Sequence, residues 1–185
     1  MKFLFTPSSQ FNLANMFTFV NITAGLLAVY CITLNNFFLA VIFAWIGGAF
    51  DIFDGKIARK FKLSNEFGIQ LDSFADFLSF VLVPVFLVFQ AVYSQAELGY
   101  LLLIAGVICI YYVIAGLRRL IYFNINTDAG EIENYFSGVP TPLGAILLWL
   151  VYLGFTYGYI NVYIVMILMI LIGLSLNSKI KVKHL

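Results

Sequence analysis

Apolar residues fall in six long stretches along the chain, near 12–34, 37–60, 64–93, 98–123, 139–157 and 159–178. Each is long enough to cross a bilayer as a helix of about 20 residues. Polar breaks separate them: Asn35-Asn36, the turn from Lys60 to Glu66, Ser94 to Glu97, the segment from Asn124 to Ser137, and Tyr157-Gly158. No internal repeat or low-complexity segment interrupts the pattern. The expectation is an all-α, polytopic membrane protein of six transmembrane helices. It forms one domain over residues 1–185, with a short interfacial segment at 1–11 and a basic tail at 179–185.

Composition agrees. Hydrophobic residues make up 63% of the chain and charged residues 10%, whereas soluble domains run near half apolar and a quarter charged. A soluble fold of this length has no means of hiding so much apolar surface. The net charge of +1 is uninformative, but the placement of the charges is not. All ten Lys and Arg residues fall on one side of a six-span arrangement. Lys2 precedes span one; Lys56, Arg59, Lys60 and Lys62 sit between spans two and three. Arg118 and Arg119 end span four, and Lys179, Lys181 and Lys183 follow span six, where they suit lipid headgroups. The opposite loops carry only Glu97. The positive-inside rule then puts both termini and the charged junctions in the cytoplasm: of the cytoplasmic membrane, if the source is bacterial or archaeal. Cys31 and Cys109 lie in apolar stretches with no metal-like spacing and read as buried thiols. His184 reads as a solvated tail residue. Pro140 and Pro142 suit the start of span five, where a missing amide donor costs little. A cleaved leader is not expected, because no small-residue cleavage site follows the first apolar stretch, and no nucleic-acid partner is expected.

Carboxylates inside the spans are the exception to this pattern. Each costs roughly 2.5–3.5 kcal/mol at a helix centre, so four facing lipid would cost on the order of 10 kcal/mol. Asp51, Asp54, Asp72 and Asp76 must therefore face the interior. Asp51 and Asp54 are three apart and Asp72 and Asp76 four apart, so each pair shares one helical face. Gly55 and Ala58 extend the first face and Gly68 the second, where small residues allow close approach. A short turn centred near Leu63 makes spans two and three antiparallel, and the two pairs lie at equal distance from it. The four carboxylates then meet at one depth. They cannot all ionise there without a counter-charge. An all-oxygen cluster suits Mg²⁺ or Mn²⁺ rather than zinc, with one carboxylate bridging two ions or free as a base.

The same residues carry a family resemblance. Asp51-x-x-Asp54-Gly55-x-x-Ala58-Arg59 followed by Gly68-x-x-x-Asp72-x-x-x-Asp76 is similar to the signature of the CDP-alcohol phosphotransferases, with every signature position filled. The resemblance implies a six-helix membrane bundle, a homodimer, and metal-dependent displacement of CMP from a CDP-linked lipid by an alcohol. It also implies Asp76 as general base and a CDP-lipid site drawn from Thr18, Asn21, Asp51, Gly55, Ala58, Arg59, Gly68 and Asp72, with Arg59 pairing a phosphate.

Three further stretches resemble the phosphatidylserine synthase branch. They are Asn15, Thr18, Asn21, Gly25 and Ala28 in span one; Arg119 to Asn124, which departs from the branch pattern at Ile121 and Tyr122; and Phe136 to Pro142. They imply CDP-diacylglycerol and L-serine as substrates, with Arg118, Arg119, Asn124 and Gly138 as candidates for holding the acceptor. Glycerol phosphate and inositol phosphate are the rival acceptors. They need extra basic residues for a second phosphate, and Tyr122 stands where the branch has an Arg. A cation or proton carrier is the rival class, but spans four to six hold no acid within the membrane to complete a path.

Overall fold

A computed structural model describes residues 2–96, 99–128, 135–178 and 181–183. The chain divides into two compact units, Met1–Ser79 and Phe80–Leu185.

In the first unit a short 3-10 turn, Lys2–Phe5, precedes helices α1 (Leu13–Thr33), α2 (Phe37–Phe61) and α3 (Glu66–Asp76). Each of the three helices begins on an asparagine. Asn12, Asn36 and Asn65 accept backbone N–H groups of Asn15, Leu39 and Gly68 at 3.0, 3.2 and 2.7 Å. A side-chain oxygen at this position satisfies a donor that the helix cannot. The α1–α2 turn passes through Asn35 and the α2–α3 turn through Lys62, both left-handed at φ 57° and 52°. At the second turn the backbone N–H groups of Lys62 and Leu63 return to the Ala58 carbonyl. Three long-range bonds tie the N-terminal segment to this turn, one of them from Asn65 Nδ2 to the Ser9 carbonyl at 3.2 Å. Asn12 Nδ2 donates to the Leu63 carbonyl at 2.9 Å, and Asn65 Nδ2 donates to that of Pro7 at 2.6 Å. The α2–α3 hairpin is therefore clamped close to the place where the sequence puts it, with Leu63 buried.

The second unit contains α4 (Val83–Val88), α5 (Leu101–Asp128), α6 (Thr141–Thr156) and α7 (Val162–Leu176). α5 packs on α7, and α6 on α7 and α4. Tyr93, Tyr112, Leu148, Met169 and Leu176 are among its fully buried side chains. Asn161 starts α7 in the same manner as the other asparagines, accepting from Ile164 at 3.0 Å. α6 is entered through Pro140, as expected. A two-stranded antiparallel ladder, β1 (Tyr135–Ser137) with β2 (Lys181–Lys183), is the one departure from helix beyond turns among the described residues. It pairs part of the fourth polar break with part of the basic tail, so that backbone donors and acceptors of both segments are used.

α3 and α4 belong to one continuous helix, Glu66–Tyr93, whose turns widen to π geometry at Phe77–Leu82 and Phe89–Tyr93. Pro84 accounts for the first widening. It has no N–H for the carbonyl four residues earlier, and its ring crowds that carbonyl.

Four helices, Leu13–Thr33, Phe37–Phe61, Glu66–Tyr93 and Leu101–Ile125, are long and apolar enough to cross a membrane. Thr141–Thr156 and Val162–Leu176 are equally apolar but shorter. At 16 and 15 residues they reach about 24 and 22 Å, less than the ~30 Å of a hydrocarbon core. Six apolar helices are thus present among the described residues, the last two with boundaries drawn in from those expected. Phe38, Trp45, Ile52, Phe53, Leu103, Val107 and Ile167 are all half exposed or more. Exposed apolar surface of this extent is what a bilayer covers, and the protein is an integral membrane protein. Cys31 and Cys109 are buried free thiols. Glu97, Lys179 and His184 lie outside the described residues.

Candidate metal and phosphate centre

The first unit holds the carboxylates. α2 delivers Asp51 and Asp54 from its C-terminal half, and the helix starting at Glu66 delivers Asp72 and Asp76. One oxygen each from Asp51, Asp72 and Asp76 lie within 4.8 Å of one another, so a single small cation can touch all three. Oδ1 of Asp76 is buried and accepts no hydrogen bond. A buried carboxylate oxygen with no donor is costly, and a divalent cation among oxygen ligands is the partner that its chemistry suits. The residues present therefore fit a divalent metal.

Asp54 is handled differently. It is only 5% exposed, and its Oδ2 accepts the Thr18 hydroxyl at 2.7 Å. It is not among the three carboxylates that converge. Asn21, two turns from the start of α1, donates from Nδ2 to Asp51 Oδ1 at 3.2 Å. Thr18 and Asn21 share one face of α1, and that face is turned to the carboxylates of α2.

The small residues of the signature have local reasons. Gly68 N–H is the donor that Asn65 caps. A Cβ on Gly68 would stand 2.5 Å from Asn15 Oδ1, and Asn15 is itself held by a bond from its Nδ2 to the Gln10 carbonyl at 3.0 Å. Gly68→Ala is expected to destabilise the protein by about 1–3 kcal/mol through overpacking, seen as a lower Tm in detergent; an unchanged Tm would contradict the close approach of α1 and α3. Gly55 leaves a space occupied by the guanidinium of Arg59 one turn on, whose Nη1 would be 3.4 Å from a Cβ there. Arg59 is exposed and Ala58 half-buried.

The candidate acceptor residues lie in the second unit. Arg118 is exposed. Arg119 is 5% exposed, and its Nε donates to the Val139 carbonyl at 3.3 Å. Asn124 is half-buried on the same helix. Gly138 has φ +89°, and a Cβ there would meet the Leu176 carbonyl oxygen at 2.6 Å. Arg119 thus meets the backbone just before α6, and Gly138 packs against the backbone at the end of α7.

Ser79 was not foreseen. Its hydroxyl donates to Asn21 Oδ1 at 2.7 Å. The signal was available, since 72, 76 and 79 follow one helical stripe.

Fold and site together define a class: an integral membrane protein with a carboxylate cluster at a helical hairpin whose residues fit a divalent cation. Comparison with known proteins gives the family. The family model for CDP-alcohol phosphatidyltransferases matches residues 11–175. The chain belongs to the CDP-alcohol phosphatidyltransferase family, and is a transferase enzyme. It is 38% identical over 143 residues to a CDP-diacylglycerol–serine O-phosphatidyltransferase of Bacillus subtilis, covering 77% of this chain and 75% of that one. It is 34% identical over 179 residues to the protein of that name in Methanocaldococcus jannaschii, covering 96% and 77%. An archaetidylserine synthase of Methanothermobacter thermautotrophicus is 27% identical over 157 residues, covering 84% and 64%.

Proposed function

We propose that the protein transfers a phosphatidyl group from CDP-diacylglycerol to L-serine, giving phosphatidylserine and CMP, with Mg²⁺ or Mn²⁺ as cofactor. The observation that carries the chemistry is the convergence of Asp51, Asp72 and Asp76 within 4.8 Å around a buried oxygen of Asp76 that lacks a partner. These three would hold the ion, with Asp54 as the fourth carboxylate of the set, oriented by Thr18. When bound, the ion supplies neutralising charge to the diphosphate of the CDP-lipid. The serine oxygen forms a bond to the phosphorus that bears diacylglycerol. The bond from that phosphorus to the CMP oxygen breaks, and CMP leaves with the electron pair. Asp76 takes the serine hydroxyl proton, as general base. Arg59, whose guanidinium lies over Gly55, is the cation for a phosphate oxygen, and the small residues Gly55 and Ala58 border the nucleotide's place beside that guanidinium. Thr18 and Asn21 line the same centre from α1, and Gly68 lets α1 approach it.

The acceptor rests on the relatives' names and on the segments around Asn21, Arg119 and Gly138. A serine carboxylate needs a cation. Exposed Arg118 and buried Arg119 are the two on α5, with Asn124 and the backbone near Gly138 as acceptors for the ammonium. The test is product identity. Purified protein with CDP-diacylglycerol, Mg²⁺ or Mn²⁺ and a panel of labelled alcohols should yield phosphatidylserine. Product only from glycerol phosphate or inositol phosphate would refute the serine assignment and leave the family untouched. An archaeal ether lipid as donor belongs in the same panel, given the archaetidylserine synthase among the relatives.

The chain reads as one catalytic domain because a single family model runs over residues 11–175, and as a homodimer by resemblance, which crosslinking in the membrane tests. Both termini and the centre are assigned to the cytoplasm, from the one-sided Lys and Arg. With single cysteines at Gln95 and Lys181, in a background lacking Cys31 and Cys109, an impermeant thiol reagent on intact cells should label position 95 only. Labelling at 181 would overturn the orientation.

A further inference from the structure

Beyond the carboxylates, buried polar atoms of the first unit form a directed chain. Ser79, 3% exposed, donates its hydroxyl to Asn21 Oδ1 at 2.7 Å. Asn21, 0% exposed, donates Nδ2 to Asp51 Oδ1 at 3.2 Å. Chemistry fixes the sense of this chain. A metal-binding carboxylate only accepts, so the amide must turn its NH₂ to Asp51. Its carbonyl then faces away and needs a donor, which the Ser79 hydroxyl supplies. Without that hydroxyl the amide carbonyl loses its buried donor, and the amide is held by its bond to Asp51 alone.

The surroundings leave room for this pair and little else. On α2, a Cβ at Gly47 would stand 2.9 Å from Asn21 Oδ1 and 3.5 Å from Ser79 Oγ. Ser79 itself sits in the π-helical turn Phe77–Leu82, which begins one residue after Asp76. Wide turns of this kind occur often at functional sites. Here the widened turn carries the hydroxyl that reaches α1, while the preceding regular turns carry Asp72 and Asp76.

We infer that Ser79 and Asn21 are positioning residues that set the metal affinity of the centre through Asp51. The inference rests on the reading of Asp51 as a metal ligand. Ser79 fixes the Asn21 amide, and the amide fixes which oxygen of Asp51 is free to point at Asp72 and Asp76. Partners behind a metal ligand orient it in this way, and their loss costs roughly 10–100-fold in affinity. A hydroxyl between membrane helices can also act simply as glue, worth about 0.6 kcal/mol on average. The two roles differ in what they change: glue alters thermal stability, whereas positioning alters metal affinity.

The test is Mn²⁺ binding to the purified protein, read as free Mn²⁺ by electron paramagnetic resonance, with Tm recorded beside it. Ser79→Ala should weaken Mn²⁺ by roughly tenfold, while kcat at saturating Mn²⁺ stays near wild type. Ser79→Thr keeps the hydroxyl and should restore most of the affinity. Gly47→Ala, which displaces the Asn21 carbonyl from the other side, should weaken Mn²⁺ as Ser79→Ala does, and it stands in if Ser79→Ala does not fold. Wild-type Mn²⁺ affinity in Ser79→Ala, with only Tm lowered, would reduce Ser79 to helix glue and overturn the inference. So would Ser79→Thr binding as weakly as Ser79→Ala. Asp51→Asn separates the two levels. If it loses Mn²⁺ and Ser79→Ala does not, the positioning inference fails and the metal site stands. If Asp51→Asn binds Mn²⁺ like wild type, the metal reading itself fails and takes this inference with it.

Discussion

Asp76→Asn is expected to lower turnover by about 10²–10⁴-fold, the usual contribution of a general base. It should leave CDP-lipid affinity within a small factor of wild type when Mn²⁺ is saturating. Asp76 is one of the three converging carboxylates, and with one oxygen on the ion its other oxygen is the one to take the proton. An amide of the same shape fills the same space, so packing is preserved, but it cannot accept the proton of the serine hydroxyl. The donor lipid meets the centre through its phosphates and does not depend on that proton. Two measurements check the prediction: equilibrium binding of CDP-diacylglycerol and single-turnover rate with serine. Near-normal turnover would remove Asp76 as the base. Loss of donor binding at saturating Mn²⁺ would make it chiefly a structural ligand.

The meeting of carboxylates from α2 and the following helix was legible because it depends on short-range geometry. Three- and four-residue spacings put each pair of aspartates on one face, and a hairpin near Leu63 brings the faces to one depth. Neither step requires knowledge of a distant partner. The convergence of Asp51, Asp72 and Asp76 follows from these rules. What the spacing left open was which carboxylate turns elsewhere. Asp54 is on the expected face, yet its Oδ2 goes to Thr18, a choice of side-chain rotamer made by a residue 36 positions away in the chain. Arg119 was equally open: its position at the end of a span suits an anchor or a ligand. Only the path of the segment before α6 provides the Val139 carbonyl that its Nε meets.

Parts of the fold were hidden for other reasons. Hydropathy alone placed the last two spans at 139–157 and 159–178, long enough for a full crossing. The last helix is shortened by the Asn161 cap, a local signal that a sum over about 20 residues averages away, whereas the Pro140 start of α6 was readable. The β1–β2 pairing joins segments more than forty residues apart that lack any strong strand pattern. The π-helical turns arise within an apolar stretch where Pro84 was the only visible cue.

Asp72→Asn is expected to cost more metal affinity than Asp54→Asn, and to abolish activity at ordinary Mg²⁺ or Mn²⁺. Asp72 belongs to the converging group of three. Replacing it removes both a charge and a ligand oxygen, so the loss should exceed the roughly 10–100-fold typical of a partner behind a ligand. Asp51→Asn should behave in the same way. Asp54 lies outside the converging three and has one oxygen committed to Thr18. Its replacement leaves the three-carboxylate group intact while an amide can still meet the Thr18 hydroxyl. Mn²⁺ binding should therefore fall less for Asp54→Asn than for Asp72→Asn, and raising Mn²⁺ should recover more of its activity. Thr18→Ala gives the matching control, since it frees Asp54 without touching the other three carboxylates. Isothermal titration with Mn²⁺ ranks the variants directly. If Asp54→Asn loses Mn²⁺ as completely as Asp72→Asn, then Asp54 is a direct ligand of equal standing, and the Thr18 hydrogen bond orients it for that role.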